Sequence, residues 1–565
     1  MGRDLDNAVK SQILNVCRQV AAPHNVIAVA VSDPHVWGYA DEKSDIGVVL
    51  IAGSPRLMLR HQLKPLKDGT VSLLAVDQKT FERDVERDWL GGLLVENMLT
   101  PYEPLVGSAF LWEREVKAKK RIVTEILTNL VLEYPYMSSE LLIKPEYFMF
   151  EAMARKAALY PPVAYRFQNL LNSGLREKNR ESIMKGFRAA LESVALEGLV
   201  SFSDEYIRIE EKYVTSTRRR KLRVVSLLKV VRSSVLRYSL EAFPKMMRSL
   251  MEDYRLYAKN FPDVGSSWDT LVPQLEDPKK HMFIPTPLGL VSLSDEMTIQ
   301  DFVRRTVPDS QELKMDIRKL GGVLNAVYAL RLHRDNEEER YIVKVFRNWL
   351  GWKWFPLALW ALGTRGFAVL GKSRMEREYA LNKCLSSRGV NVPRIIYMSP
   401  KERLIFQEYV EGENLARITE ETRSSKRDVT ELAATFRQVG RAVAEVHKLD
   451  VALGDCKPEN IIVKPNGTIC FVDLEQAERG GDQPWDIAEL LFYSGLHASL
   501  LSTDSVRMMA GEFIEGYMEA SGRVENMKKA VTLKYVKVFF FTPPHVLSAI
   551  FNTFRERLKG EKTED

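Results

Sequence analysis

The sequence predicts a multidomain α+β protein in three parts: a small α/β unit over residues 1–100, a helical domain over 101–309 and a second α/β domain over 310–565. Three observations predict this. A chain of 565 residues is too long for one core at about 100–200 residues per domain. The apolar period shifts from mixed helix and strand to helical spacing and back again. Prolines at Pro161-Pro162, Pro262, Pro285 and Pro287 punctuate the helical stretch. With 45% hydrophobic and 28% charged residues, the chain is globular, which excludes a disordered, collagen-like or disulfide-scaffold protein.

In the first part, Asn7–Val20 is an amphipathic helix, and Val26–Val31, Asp45–Ile51 and Val71–Val76 are strands by their β-branched content. In the second, Leu111–Tyr134, Glu151–Leu159, Glu181–Leu199 and Leu222–Leu240 carry apolar residues at i, i+3, i+4 spacing. In the third, Ala326–Leu332 and Arg340–Phe346 flank the polar loop His333–Glu339 and read as a hairpin. Gly321-Gly322 stands just upstream, where a loop can fold close over a ligand.

The tryptophan-rich run Trp349–Leu370 raises a membrane question. Its uncharged part between Lys353 and Arg365 is 11 residues long and includes a proline. A span needs about 20 apolar residues, so no transmembrane segment is expected; a docking hairpin is preferred to an interfacial patch. The net charge of +6 is too small to indicate nucleic acid. The basic run from Arg218 to Arg237 offers RNA phosphate or an anionic membrane surface a stripe to meet, but a solvated helix face is the preferred reading. Four scattered cysteines with no CxxC pair suit a reducing compartment and give no zinc signal, and the opening residues lack the apolar region of a secretory signal. A cytoplasmic protein is expected.

The chemistry concentrates in LGDCKPENIIVKPNGTICFVDLEQA, Leu453–Ala477. Ile461–Lys464 and Thr468–Val472 are short strands joined at Pro465-Asn466-Gly467, a turn sequence. The hairpin should bring its two ends, Asn460 and Asp473, together as oxygen ligands for a hard divalent cation, Mg²⁺ or Mn²⁺. Asp455 offers a base for a hydroxyl and Lys457 a cation for developing phosphoryl charge, both in the loop that ends at Asn460.

This run resembles the catalytic and metal-binding loops of the protein-kinase-like superfamily: Asp455-Cys456-Lys457-Pro458-Glu459-Asn460 is similar to its D-x-K-x-x-N loop, and Asp473-Leu474-Glu475 to its D-F-G motif. The resemblance covers roughly Leu320–Ser494 and implies a C-terminal bilobal kinase-like fold that binds ATP. It implies that Lys344, in YIVKVF, holds the ATP phosphates, that Glu378 orients it, and that Gly321-Gly322 belong to the phosphate-covering loop. It places Arg403–Tyr409, including Glu408, at the strand and hinge that meet adenine.

Within the superfamily the run is most similar to the RIO kinases and the kinase subunit of the tRNA threonylcarbamoylation complex, then to lipopolysaccharide-core and aminoglycoside kinases. Only twelve residues separate Asp473 from Asp486, too few for a conventional peptide-binding activation segment. Leu453 stands in place of the usual histidine, and Glu475 in place of the motif's glycine, where it could add a carboxylate near the metal. Asp486 reads as a structural anchor for the loop, and His447 as a core residue.

Trp37–Leu50 resembles the G-S…D-x-D signature of polymerase-β-like nucleotidyltransferases, which implies a domain of that fold. Gly38-Tyr39 replaces Gly-Ser, Asp45 is present, Gly47 stands where a second Asp belongs, and the third carboxylate is missing near Ser72; Asp77 lies at the strand's far end. One carboxylate cannot clamp two cations, so this unit reads as degenerate.

The resulting expectation is an ATP-dependent atypical serine/threonine protein kinase acting on a protein substrate. The alternatives are a small-molecule or lipid-linked sugar kinase and a catalytically silent nucleotide-binding scaffold.

Overall fold

The computed structural model describes residues 6–41, 43–67, 69–90, 92–159, 163–172, 174–219, 251, 254–256, 275–306, 314–321, 326–334, 337–347, 370–424, 426–498, 503–536 and 542–558. The helix expected over Leu222–Leu240, the basic stripe beyond Arg219, Gly322 and the run 349–369 lie outside the described residues. The chain divides into two compact units, Met1–Ile284 and Pro285–Asp565.

The first unit opens with α1 (Asn7–Ala21), capped where the Asp6 carboxylate accepts the Val9 N–H at 2.7 Å. There follow β1 (Val26–Val31), α2 (Pro34–Trp37), β2 (Ile46–Ala52), β3 (Leu59–Leu66), β4 (Gly69–Asp77), α3 (Gln78–Arg87), α4 (Leu93–Glu96) and β5 (Glu103–Val106). The sheet order is β3-β4-β2-β1-β5; β2 and β4 run parallel, and the other pairs that define the sheet are antiparallel. Alternate residues of the apolar runs feed two cores. Val29, Val31, Val48 and Leu50 join Ile13 and Cys17 of α1, while Ala28, Ala30, Val49 and Ile51 join Phe81 and Val85 of α3. A sheet covered on both faces explains why these strands are continuous hydrophobic runs.

Strand β3, LRHQLKPL, is absent from the sequence reading. It is an edge strand with polar residues and Pro65, so it lacks the apolar signature.

The positions that would carry the second and third carboxylates, Gly47 and Ser72, are direct neighbours on parallel strands. The Gly47 N–H donates to Asp33 at 2.7 Å, and Ser72 Oγ lies 3.0 Å from His61 Nε2. Asp77 caps α3, accepting from the Thr80 N–H at 2.9 Å and from the Met58 N–H at 3.0 Å.

The segment expected to be helical contains α5 (Ser108–Glu133), α6 (Glu146–Leu159), α7 (Val163–Asn172), α8 (Arg176–Leu196) and α9 (Glu211–Arg219). It also contains strands that the helical reading omitted: β6 (Leu142–Ile143), β7 (Val200–Ser203), β8 (Tyr206–Ile209) and β9 (Met282–Thr286), with β6 pairing both β8 and β9. The β7–β8 turn passes through Asp204 at φ 53°, a left-handed position filled without the usual glycine, so it gave no turn signal. The helix expected to reach Leu199 stops at Leu196, because Val200 already belongs to β7.

The second unit contains β10 (Gly289–Ser292), α10 (Ile299–Thr306), β11 (Lys314–Gly321), β12 (Ala326–Arg334), β13 (Glu337–Val345), α11 (Gly371–Ser386), β14 (Ile395–Ser399) and β15 (Leu404–Glu408). Strands β11-β12-β13-β15-β14 form an antiparallel sheet, and β12–β13 is the expected hairpin, in register from Ala326↔Val345 to Arg334↔Glu337. Its core includes Phe302 of α10 stacked on Phe406 at a ring separation of 4.0 Å.

A mainly helical part follows: β16 (Glu413–Asn414), α12 (Leu415–Arg423), α13 (Val429–Lys448), β17 (Val451–Ala452), β18 (Ile461–Val463), β19 (Ile469–Phe471), β20 (Glu478–Arg479), α14 (Gln483–His497), α15 (Thr503–Glu519) and, beyond two short turns of helix, Pro544–Arg557. Helices α13 and α15 cross in close backbone contact through glycines. A Cβ on Gly516 would lie 1.9 Å from the Arg437 carbonyl oxygen, and one on Gly440 2.2 Å from that of Phe513. Among the described residues, no helix is long and apolar enough to cross a membrane.

Candidate functional site

The site forms in the second unit, between the antiparallel sheet and the hairpin β18–β19. Lys344 lies near the end of β13, and its side chain is buried. Its ammonium donates to Glu378 Oε1 at 2.8 Å and to Asp473 Oδ1 at 3.1 Å. A cation this deep is costly unless paired, and here two carboxylates flank it. Burial alone would depress its pKa, but Asp473 and Glu378 more than reverse that and leave it raised. Burial likewise pushes the Glu378 carboxyl up, against the pull of Lys344. Of the three side chains, Asp473 is the most open, 31% exposed against 5% for Lys344 and 1% for Glu378.

Hairpin β18–β19 pairs Ile461 with Phe471 and Val463 with Ile469. At its open end the Val472 N–H donates to the Asn460 carbonyl at 2.9 Å, which brings Asn460 beside the residue preceding Asp473. Asp473 has φ 66°, a left-handed conformation that an L-residue adopts at a cost and that is concentrated at functional sites. Asn460 donates its amide to the Asp455 carbonyl at 2.9 Å and to Asp455 Oδ2 at 3.0 Å. Lys457 Nζ holds the other Asp455 oxygen at 2.5 Å and lies over the Tyr493 ring. Burial raises the Asp455 carboxyl above its ordinary range; Lys457 opposes this and Asp473 reinforces it.

The donor set suits a hard divalent cation. The Asn460 amide nitrogen is engaged with Asp455, which leaves its oxygen as the group to offer a ligand, alongside the partly open Asp473 carboxylate. Two protein oxygens are a sufficient share when substrate phosphates and water complete the shell. Among the described residues there is no group of three or more His, Cys, Asp or Glu arranged for a metal.

The carboxylates of Glu475 and Glu408 both have partners: both Glu475 oxygens accept from Arg374 Nη1, at 3.1 and 3.2 Å, and that pair is buried. Glu408 ends β15 opposite Tyr341, and its carboxylate is turned to Arg394, accepting that residue's N–H at 2.9 Å. Gly321 ends β11 opposite Val327.

Asp486, in the first turn of α14, accepts the Leu453 N–H at 2.6 Å and the Gly454 N–H at 2.7 Å, and lies 3.1 Å from His447 Nε2. His447 is buried and its Nδ1 is 2.8 Å from the Tyr517 hydroxyl. Both residues therefore hold the loop in place.

Three further residues of α14 went unread in the sequence. Glu489 accepts the Cys456 N–H at 2.8 Å, Tyr493 flanks Lys457, and His497 bridges Glu420 of α12 at 3.0 Å and Glu459 of the loop at 3.1 Å. Their signal was the spacing of Asp486, Glu489, Tyr493 and His497 at i, i+3, i+7 and i+11 along one helix face.

The hydrogen bond to Glu459 raises the pKa of His497, with burial opposing and Glu420 adding to the rise. A folded-state pKa above the unfolded value stabilises most below about pH 6.5, and that contribution is lost as pH rises through the raised value. The thermal midpoint is thus expected to lose this contribution across that window, and His497→Ala should flatten the dependence. A pH profile unaltered by the substitution would remove the bridge from the loop's support.

Comparison with known proteins agrees with this geometry. The lipopolysaccharide kinase (Kdo/WaaP) family matches residues 342–517. The KEOPS complex subunit Bud32 of Pyrococcus abyssi is 32% identical over 109 residues, 19% of this chain and 47% of that protein. The "Probable serine/threonine-protein kinase BUD32 homolog" of Archaeoglobus fulgidus is 28% identical over 159 residues, 28% of this chain and 73% of that protein. The chain thus spans about half the length of the first relative. Together with the Lys344–Glu378–Asp473 triad and the Asp455–Asn460 loop, these likenesses make the C-terminal region of the chain a member of the atypical protein-kinase-like family.

Proposed function

We propose that the protein is an ATP-dependent phosphotransferase, an atypical serine/threonine protein kinase whose chemistry resides in its C-terminal region. The observation that supports this most is the meeting of Lys344 with both Glu378 and Asp473, beside the hairpin end that carries Asn460. Lys344 holds the phosphates of ATP, and Glu378 fixes its rotamer. Asn460 and Asp473 hold a divalent cation, Mg²⁺ or Mn²⁺, which screens phosphate charge when bound. Asp455 orients the acceptor hydroxyl and takes its proton; its raised pKa suits a base better than an ordinary carboxylate does. Lys457 neutralises the transferring group. Gly321-Gly322 cover the phosphates, and the backbone around Glu408 meets the base.

A protein acceptor in a cytoplasmic setting is the first reading, in keeping with the protein-kinase and complex-subunit names of the relatives. RNA or an anionic membrane surface, met through Arg218–Arg237 or Trp349–Leu370, is not favoured. A small-molecule or lipid-linked sugar acceptor is the second reading; the family matched over 342–517 and the short stretch after Asp473 favour it. The first 100 residues are read as a degenerate nucleotidyltransferase-like domain, supported by the Gly47↔Ser72 pairing where two carboxylates would be needed, and residues 101–309 as a separate helical domain.

Incubation with γ-labelled ATP and Mn²⁺ should label polypeptide, and the double variant Asp455→Ala/Asp473→Ala should not. Label found only in a small metabolite or lipid would select the second reading. Transfer that persists in the double variant would locate the chemistry elsewhere.

A further inference from the structure

Helix α11 carries Arg374, Arg377 and Glu378 at i, i+3 and i+4, on one face. All three engage the segment that follows β19 or the lysine bound to it. Arg374 meets both oxygens of Glu475 at 3.1 and 3.2 Å, Arg377 lies 3.8 Å from Glu478, and Glu378 holds Lys344, which holds Asp473. Arg374 also donates to the Arg347 carbonyl, just past β13. The helix start is pressed against the same strand end, since a Cβ on Gly371 would lie 2.5 Å from the Phe346 carbonyl oxygen.

The segment itself is short and clipped back. Twelve residues separate Asp473 from Asp486, β20 pairs with β17, and the Gly480 N–H donates to the Asp450 carbonyl at 2.7 Å. No length remains for a loop that would order the site on modification. In kinases, ordering of the helix glutamate and the metal aspartate is what activation-segment phosphorylation controls.

We propose that Arg374 and Glu475 form a built-in latch, a pair of positioning residues that fixes α11 to the Asp473 turn and keeps the nucleotide site assembled without a phosphorylated activation segment. This rests on the kinase reading above. Glu475 supplies, from inside the core, the anionic tether that an added phosphate would otherwise supply from a loop. A buried charge pair suits the task because one Arg374 nitrogen is shared between both Glu475 oxygens and the pair is cut off from competing water.

The test uses the full chain. Arg374→Ala and Glu475→Gly each remove one partner of a buried ion pair and are liable to misfold, so the deciding variant is Arg374→Met/Glu475→Leu, which removes both charges and keeps the volume. Hydrogen exchange of the amides in 371–386 is expected to speed up while global thermal stability is retained. In phosphatase-treated protein, kcat is expected to fall about 10- to 100-fold with ATP KM little changed, the range typical of residues that support a site through others. Wild-type exchange in α11, or wild-type kcat, in the double variant would overturn the latch. So would wild-type activity that vanishes on phosphatase treatment. If the wild-type chain transfers no phosphate at all, the kinase reading fails on its own terms, and the exchange arm still decides whether the pair holds the helix.

Discussion

Asp455→Asn is expected to lower kcat by about 10²–10⁴-fold, the range for loss of a positioned general base, with ATP binding retained. The substitution is isosteric, so lost volume cannot explain the effect. Asp455 accepts on both oxygens, from Lys457 at 2.5 Å and from Asn460 at 3.0 Å. An amide can accept on only one side, so its NH₂ must face one of those two donors. The substitution thus removes the proposed base and disturbs both Lys457 and Asn460. Steady-state kinetics with nucleotide binding measured separately checks this. A variant within threefold of wild type in kcat would mean that Asp455 neither orients nor deprotonates the acceptor.

The second large effect is structural. Asp486→Ala is expected to destabilise the C-terminal unit by about 3–5 kcal/mol and to abolish activity with it. The carboxylate is fully buried and accepts the Leu453 and Gly454 amides at 2.6 and 2.7 Å, with His447 at 3.1 Å. Its removal leaves two buried N–H groups and an imidazole without their acceptor, each unsatisfied group costing about 1–3 kcal/mol. Denaturant unfolding would measure it. A loss below about 1 kcal/mol would show that the loop before Asp455 is held by something other than this anchor.

Much of the site was legible because it is local. Asp455, Lys457 and Asn460 lie within six consecutive residues, and the Pro465-Asn466-Gly467 turn announces the hairpin that returns the chain to Asp473. The strand bearing Lys344 was readable from its β-branched run. By contrast, β3 was hidden by its polar edge, β7–β8 by a turn without glycine, and Glu489, Tyr493 and His497 by the absence of any motif around them. Their roles arise only when α14 lies beneath the loop.

Glu475 shows the division most clearly. Its side-chain chemistry and its place two residues after Asp473 invited a metal-ligand reading. Arg374, about a hundred residues earlier in the chain, is the partner that carboxylate takes. Short-range patterning is enough to fix element type and the order of a contiguous loop, because backbone sterics and turn chemistry act over a few residues. That patterning by itself determined the β12–β13 hairpin and the spacing of Asp455, Lys457, Asn460 and Asp473. Which way a buried charge turns depends on which opposite charge packing brings within about 3 Å, since desolvation forces it to the nearest partner. Only the tertiary structure decided the Arg374–Glu475 pair, the Asp486 anchor and the convergence of Glu378 and Asp473 on Lys344.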